Sequence, residues 1–225
     1  MNAPLDRWTE QHALLMCLGI GAVWLESAPE LLAAMAAASF LGLIKRGLGS
    51  YTPGGGFGWA NGITLARTLG GLVLLAFTGL GPWIQAGLLW LLIAGDGLDG
   101  WAARRYGTVS AFGLLFDHEC DALLLLAACV LLFVGGKLGA WILLPGALRY
   151  GFVLYRRWAR PPQREARGNR FTRWVGVTAS LGFAVCLLPV LDPTLRWALA
   201  VCLSSALAAS FLHSLVRLYR PESQA

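Results

Sequence analysis

The feature that most constrains this chain is a series of apolar runs, most of them long enough to cross the hydrocarbon core of a bilayer as a helix of about 20 residues. Within lipid, helices satisfy all of their backbone hydrogen bonds internally. We predict eight segments: Gln11–Leu25, Pro29–Ile44, Asn61–Leu80, Trp83–Arg104, Ser110–Val134, Ala140–Tyr155, Arg173–Leu191 and Thr194–Arg217. The first two are short and bounded by glutamates, so a shallow hairpin is an alternative there. The predicted fold class is all-α, a polytopic integral membrane protein with a six-transmembrane-helix core and two extra N-terminal helices.

Composition supports this class and excludes others. Of the 225 residues, 57% are hydrophobic and only 13% are charged, which is too apolar for a soluble enzyme. The five cysteines are scattered without a CxxC pair, so neither a disulfide framework nor a zinc site is indicated. The net charge of +6 fits loops that face anionic lipid, and no nucleic-acid partner is needed to explain it.

The distribution of basic residues orients the segments. With a cytoplasmic N-terminus, most of the 18 lysines and arginines fall on the cytoplasmic side, while Lys137 and Arg196 lie on the other. The positive-inside rule therefore predicts a multi-pass protein of the inner (cell) membrane with both termini cytoplasmic. The acidic start and Pro29 argue against a cleaved signal peptide, so we expect the first segment to be retained.

This reading divides the chain into four parts. Residues 1–50 form an N-terminal helical pair, 51–60 a Gly-rich juxtamembrane linker, 61–217 the six-helix core and 218–225 a cytoplasmic tail. The stretch YTPGGGFGW within the linker has no Gly-Lys-Ser/Thr after it, so a phosphate-binding loop is not supported. We expect a flexible surface linker there.

Four aspartates stand where apolar helices would ordinarily carry no charge: Asp96, Asp99, Asp117 and Asp121. The first pair is three residues apart and the second four, so each pair shares one helix face. A short connection makes the two helices antiparallel neighbours, so the four carboxylates converge. Only Arg104 and Arg105 are nearby, and hard divalent cations would balance the remaining negative charge. The sequence predicts a two-metal site; a satisfied polar cluster or an ion pathway in a transporter is the alternative.

Small residues adjoin these carboxylates. Gly100 and Ala103 lie beside the first pair, and Gly113 lies one turn before Asp117, so a planar ligand or a phosphate could approach the helix backbone. Arg104 offers a planar fork of donors suited to a phosphate. Together these features point to phosphoryl-transfer chemistry.

The segment Asp96-Gly-Leu-Asp99-Gly100-Trp-Ala-Ala103-Arg104, followed after eight residues by Gly113-Leu-Leu-Phe-Asp117-His-Glu-Cys-Asp121, resembles the signature of the CDP-alcohol phosphatidyltransferase family. All eight defining positions match, and the family's core would cover about 61–217. The resemblance implies transfer of a phosphatidyl (substituted phosphoryl) group from a CDP-alcohol to a hydroxyl acceptor, with release of CMP, in phospholipid biosynthesis. It also implies divalent metal ions, Mg²⁺ or Mn²⁺, as cofactors, with two ions in the site.

The resemblance further implies a role for each signature residue. Asp96, Asp99 and Asp117 would hold the metals, and Asp121 would be a metal ligand and the general base. Gly100, Ala103 and Gly113 would accommodate the cytidine, and Arg104 the diphosphate. The reaction would take place at the cytoplasmic face, with CDP-diacylglycerol as the donor lipid and a small polar alcohol as the acceptor. A homodimer surrounded by membrane lipids is expected by analogy with the family.

Two further groups of residues are weaker candidates. Asn61, Thr64 and Arg67 also look like a family feature and could contact substrate, although Arg67 could equally be a snorkelling side chain. For acceptor binding the candidates are Arg149, Arg164 and Arg170; of these, Arg149 lies within a core helix and could hold an anionic acceptor. His118 and Glu119 are rotated about 100° and 200° from the Asp117 face, so we expect a helix-packing or subunit-facing role for them and not catalysis.

Two function classes remain open on the sequence. The first is the membrane transferase just described. The second is an ion or solute carrier that uses the intramembrane aspartates as a cation site. A carrier would not need small residues at positions 100, 103 and 113, so the signature favours the enzyme.

Overall fold

The computed structural model describes the backbone of residues 3–159 and 170–219 and the side chains of 5–159, 174–216 and 219. These residues form eight α-helices and no strand, in the order α1 (Ala3–Glu26), α2 (Pro29–Arg46), α3 (Gly58–Ala76), α4 (Pro82–Arg105), α5 (Ala111–Val134), α6 (Leu143–Ala159), α7 (Arg170–Cys186) and α8 (Pro193–Tyr219). One 3₁₀ turn, Ala140–Ile142, leads into α6. The all-α class is confirmed.

Local sequence explains most helix ends. Pro29 starts α2 because its fixed φ suits the first helical turn. Ser110 caps α5, since its hydroxyl accepts a hydrogen bond from the Gly113 amide at 2.9 Å. The predicted seventh segment extends to Leu191, whereas α7 ends at Cys186, shortly before Pro189, which cannot continue a helix. Helix α1, by contrast, is longer than predicted. It begins at Ala3 and not at Gln11, since its polar first turns are also helical.

The N-terminal helices pack against the rest of the bundle along their length. Helix α1 lies against α2 and α6, and α2 also contacts α3. Trp8, Met16 and Phe40 are almost completely buried in this contact. Two helices of 24 and 18 residues would measure about 36 and 27 Å at 1.5 Å per residue. The pair therefore packs into the bundle along its length, and its passage through the bilayer stays a prediction.

Helix α5 lies at the centre. It contacts α3, α4, α6 and α7, and almost every side chain from Cys120 to Leu132 is buried. Gly146 on α6 allows the closest approach, because a Cβ there would lie 3.1 Å from the backbone Cα of Leu126. Four neighbouring helices hold α5 in place. Their packing therefore also sets the position of its first half, which carries Asp117 and Asp121.

The Gly-rich stretch before α3 differs from the flexible surface linker that we expected. Tyr51 and Thr52 are buried, and the Tyr51 ring packs edge-on against Phe57 and Phe112, with centroids 5.0 and 4.9 Å apart. The Tyr51 carbonyl accepts hydrogen bonds from Asn61 and Ser110. An aromatic anchor within the glycines therefore attaches this stretch to α3 and α5.

The outward surface of the bundle is largely apolar, with exposed leucine, valine or phenylalanine side chains on many helices, including Leu18, Leu41, Leu69, Leu91 and Leu212. Apolar exposure on this scale is typical of a surface in contact with lipid or protein. Two helical stretches, Gly58–Ala76 and Pro193–Val216, are long and apolar enough to cross a membrane. Helices α4 and α5 are also long, at 24 residues each, but carry the acidic residues. Passage of all eight helices through a bilayer stays a prediction.

At the end of the bundle opposite the aspartates, two basic side chains bind backbone carbonyls at and just after the C-terminus of α7. Arg196 is buried and donates hydrogen bonds to the carbonyls of Cys186, Leu188 and Leu191 at 2.9–3.1 Å. Lys137 donates to the Leu187 carbonyl at 2.7 Å. Cations at a helix C-terminus satisfy its free carbonyls and its dipole.

Candidate active site

Two neighbouring helices, α4 and α5, bring the signature aspartates together. Asp96 and Asp99 lie near the C-terminus of α4, while Asp117 and Asp121 lie in the first half of α5. One carboxylate oxygen each from Asp96, Asp99 and Asp117 lies within 4.8 Å of the others. Asp99 is buried, and the side chain of Asp121, at 45% exposure, is the most open of the four. The convergence predicted from the helix spacing is therefore present.

Arg67, from α3, lies at the centre of this cluster. Its Nη1 donates to Asp99 at 2.6 Å and to Asp117 at 3.0 Å, and its Nη2 donates to Asp121 at 2.5 Å. Asp96 is 3.7 Å from Nη1. One guanidinium thus offsets part of the charge of four carboxylates. Arg67 points into the bundle and does not snorkel, so that alternative reading of Arg67 was wrong.

The surroundings hold the Arg67 side chain in this place. The Nε atom donates to the Leu92 carbonyl at 2.9 Å, and the side chain is only 3% exposed. Gly95 gives the stem its room, because a Cβ at that position would lie 3.0 Å from Arg67 Cδ. Thr64, one turn earlier on α3, donates to Asp99 at 3.2 Å. Thr64 and Arg67 therefore belong to the carboxylate cluster.

The other residues of the signature surround the cluster. Arg104 is exposed, and its Nη1 lies 3.3 Å from where a Cβ on Gly100 would be. A Cβ on Gly113 would lie 3.0 Å from Asn61 Oδ1, so the protein itself needs a small residue there. Asn61 donates to the carbonyls of Tyr51 and Phe57 and so anchors the start of α3. Ala103 is partly exposed on the same end of α4.

The acceptor candidates have different positions. Arg149, on α6, donates to both Glu119 oxygens, from Nε at 3.0 Å and from Nη2 at 2.5 Å, and its side chain is 32% exposed. Glu119 is buried and joins α5 to α6, which confirms the helix-packing role expected for it. Arg164 lies outside the described residues, and Arg170 begins α7 with its side chain outside them. Acceptor binding by these three residues stays a prediction.

A sequence profile of CDP-alcohol phosphatidyltransferases matches residues 57–212, more than half of the chain. The chain belongs to the CDP-alcohol phosphatidyltransferase family. The matched region begins at the residue before α3, so α1 and α2 lie outside it. No solved structure matches the chain significantly.

Membership in the CDP-alcohol phosphatidyltransferase family decides between the two function classes. The protein is a transferase for substituted phosphate groups, and the family is membrane-associated and acts in phospholipid biosynthesis. The carrier alternative therefore loses its support. The carboxylate cluster is the candidate site for the family's chemistry in this chain.

Members of the family use divalent metals, and the donor set here fits such ions. Carboxylate oxygens are the ligands that Mg²⁺ and Mn²⁺ prefer. Asp96, Asp117 and Asp121 each have a second oxygen to which no hydrogen bond is made by the described residues. Asp99 is different, because its second oxygen accepts from the Gly100 amide at 2.7 Å. The cluster can therefore hold a cation while it keeps its contacts to Arg67.

Sequence reasoning missed the central place of Arg67 and the need for Gly95. A signal was available, since an arginine within an apolar helix requires a buried partner and the chain offers four carboxylates. From the sequence, only Arg104 and Arg105 were set against the negative charge of the four aspartates, and both arginines are exposed. Which side chain neutralises the aspartates depends on how α3 packs, and periodicity does not give that packing.

Proposed function

We propose that this protein transfers the phosphatidyl group of a CDP-alcohol, CDP-diacylglycerol in particular, to the hydroxyl of a small polar alcohol and releases CMP. The observation that carries the proposal is the convergence of three signature carboxylates at one end of the bundle, with Asp121 joined to them through Arg67, in a chain of this family. The CDP-alcohol supplies a good leaving group, so the site needs charge neutralisation and a base.

In this proposal Asp96, Asp99, Asp117 and Asp121 hold two divalent ions. The ions would supply neutralisation of the charge on the diphosphate and on the departing CMP. Arg67 keeps the carboxylates close together, because one guanidinium bonds to three of them. Arg104, exposed beside Gly100, is free to bind the diphosphate, and Gly100, Ala103 and Gly113 leave room for the cytidine.

Asp121 is the proposed general base. It is the most exposed of the four carboxylates, and Arg67 contacts one of its oxygens. Its other oxygen can accept the proton of the acceptor hydroxyl. The acceptor oxygen then bonds to the phosphorus that carries the lipid, and the bond from that phosphorus to the oxygen of CMP breaks. CMP leaves, and the proton stays on Asp121.

We also propose a placement and an assembly. The end of the bundle with the aspartates faces the cytoplasm in the inner membrane, and both chain termini are on that side, in keeping with the positive-inside distribution. A lipid-tailed donor then reaches the cluster sideways from the bilayer, and a polar acceptor reaches it from water. The homodimer expected by family analogy is a proposal to be tested by light scattering in detergent.

The deciding experiment measures CMP release from CDP-diacylglycerol by detergent-purified protein with Mg²⁺ or Mn²⁺. The acceptor panel is glycerol 3-phosphate, inositol, inositol phosphate, serine and no acceptor. Asp121→Asn should abolish acceptor-dependent release, because the amide cannot take the proton. Glu30→Gln is the matched control, since Glu30 is an exposed acid in the first turn of α2. Wild-type protein that binds metal but releases no CMP with any acceptor would contradict the proposed donor or acceptor class.

Metal stoichiometry tests the paired ions separately. Titration of metal-free protein with Mn²⁺, followed by electron paramagnetic resonance, should give two bound ions per chain. Asp96→Asn should reduce that number, because it removes a ligand whose side chain is 27% exposed and carries only the long contact to Arg67. A single ion in the wild type would contradict the two-metal form of the proposal.

A further inference from the structure

The two N-terminal helices meet the catalytic helices through a buried aromatic and polar cluster. The His12 ring stacks on Trp8 with centroids 4.7 Å apart and lies edge-on to Phe40 and Tyr150. Phe40 continues the cluster to Phe116 on α5, one residue before Asp117. Helices α1 and α2 thus pack directly behind the carboxylates, although they lie outside the region that matches the family.

A polar chain runs through this cluster. Trp8 Nε1 donates to the Ser39 carbonyl at 2.8 Å, and His12 Nδ1 shares a hydrogen bond of 2.8 Å with the Ser39 hydroxyl. His12 Nε2 lies 3.9 Å from Glu119 Oε2, and both side chains are 1% exposed. When Ser39 donates to Nδ1, the ring proton is on Nε2 and points toward the Glu119 carboxylate. The N-terminal pair therefore presents a polar group to Glu119.

Glu119 in turn orients Arg149. Its two oxygens accept from Nε and Nη2, so one edge of the guanidinium is fixed. Nη1 makes no hydrogen bond to the described residues, and the side chain is partly open. Glu119 lies two residues from both Asp117 and Asp121 on α5, so its bonds hold the Arg149 guanidinium at the level of the carboxylate cluster. A fixed guanidinium with one free edge at this level of the bundle is suited to bind an anionic group on the acceptor.

Two buried polar atoms in this region support a role beyond packing. His12 Nε2 and Tyr150 Oη have no hydrogen-bond partner among the described residues, although a buried polar atom is normally satisfied. Tyr150 follows Arg149 directly on α6, and His12 faces its ring. Tight packing alone would be served better by apolar side chains at these positions.

We propose that the acceptor is a phosphate-bearing alcohol whose phosphate binds Arg149, and that α1 and α2 hold Arg149 in place through His12 and Glu119. His12 and Glu119 are positioning residues and do not touch the substrate. The inference rests on the proposed function and adds the acceptor class and a role for the N-terminal helices. Fixing one long side chain before binding is worth about two- to tenfold in affinity.

The test uses the full-length protein and glycerol 3-phosphate as the probe. His12→Phe keeps an aromatic ring against Trp8 but removes both nitrogens, and Glu119→Gln removes the charge that grips Arg149. Both should raise the KM for glycerol 3-phosphate about two- to tenfold. The KM for CDP-diacylglycerol, the kcat and the KM for uncharged inositol should stay at wild-type values. Equilibrium binding of glycerol 3-phosphate to metal-loaded protein should weaken by the same factor.

Phe40→Leu is the matched control, because Phe40 touches the same His12 ring but has no polar atom. It should lower thermal stability without changing the KM for glycerol 3-phosphate. Equal changes in all three variants, or no change in His12→Phe and Glu119→Gln, would show a purely structural cluster and overturn the inference. If the wild type releases CMP only with uncharged acceptors, the acceptor class is wrong while the proposed function stands. If it releases none with any acceptor, the proposed function fails first, and this inference fails with it.

Discussion

Replacing Arg67 by glutamine removes the guanidinium that contacts all four aspartates. In the metal-free protein Asp99 loses the most ion-pair stabilisation. Its side chain is only 5% exposed, and its Oδ2 lies 2.6 Å from Arg67 Nη1. Removing one partner of a buried ion pair costs about 3–5 kcal/mol, because the other charge stays buried without compensation. The three more exposed carboxylates add less, since water reaches them. We therefore expect Arg67→Gln to lower the free energy of unfolding by about 3–5 kcal/mol in EDTA.

Divalent metal should reverse part of this loss. At a concentration 100 times its Kd, a ligand that binds only the folded state adds about 2.7 kcal/mol. In the wild type the metal is repelled by the nearby guanidinium, whereas in Arg67→Gln it meets only carboxylates. Mg²⁺ should therefore stabilise the variant more than the wild type, and the difference between the two proteins should shrink as Mg²⁺ is added.

The assay is denaturant unfolding in a single detergent, with EDTA or with saturating Mg²⁺. Arg105→Gln is the matched control, because Arg105 is an exposed arginine at the end of α4. It should unfold within about 0.5 kcal/mol of the wild type, as surface substitutions usually do. The reasoning is refuted if Arg67→Gln is as stable as Arg105→Gln in EDTA, or if Mg²⁺ stabilises the variant no more than the wild type.

Three further substitutions test other contacts. Gly113→Ala places a Cβ 3.0 Å from Asn61 Oδ1 and should reduce CMP release, whereas Gly62→Ala, which meets nothing within 4 Å, should not; equal rates would show that the contact does not matter. Arg196→Gln removes the hydrogen bonds to the Cys186 carbonyl, at the end of α7, and to the Leu191 carbonyl beyond it, and should cost about 1–3 kcal/mol in unfolding experiments, with kcat of the folded protein unchanged. Gly146→Val pushes α6 away from α5 and should lower thermal stability by about 1–3 kcal/mol, while an unchanged melting temperature would mean that the helices can separate freely.

The aspartates could be placed from the sequence, but their counter-charge could not. Spacings of three and four residues fix which helix face each carboxylate occupies, whatever the rest of the fold does. The position of Arg67 depends on how α3 crosses α4 and α5, and on the room that Gly95 leaves. That is tertiary information, and a side chain in the middle of an apolar helix has the same local sequence whether it snorkels or turns inward.

The same contrast applies before α3. Three consecutive glycines suggest a conformationally free backbone. Composition gives no sign that the Tyr51 ring packs against Phe57 and Phe112. The N-terminal helices also escaped a firm assignment, because their apolar runs are short and polar residues such as Asp6 and Glu10 interrupt the start of α1. Their place in the bundle depends on buried contacts with α6, which lies more than a hundred residues later in the chain.

The cap on α7 has a consequence for how the chain enters the membrane. In the proposed orientation Lys137 and Arg196 must be carried across the bilayer as free cations, against the bias that keeps other basic residues behind. After α7 has formed, the same two groups are bonded to its last carbonyls. Passage back would require those bonds to break and both ammonium and guanidinium groups to be exposed to lipid again. In that orientation, these bonds would oppose reversal of insertion for this half of the bundle.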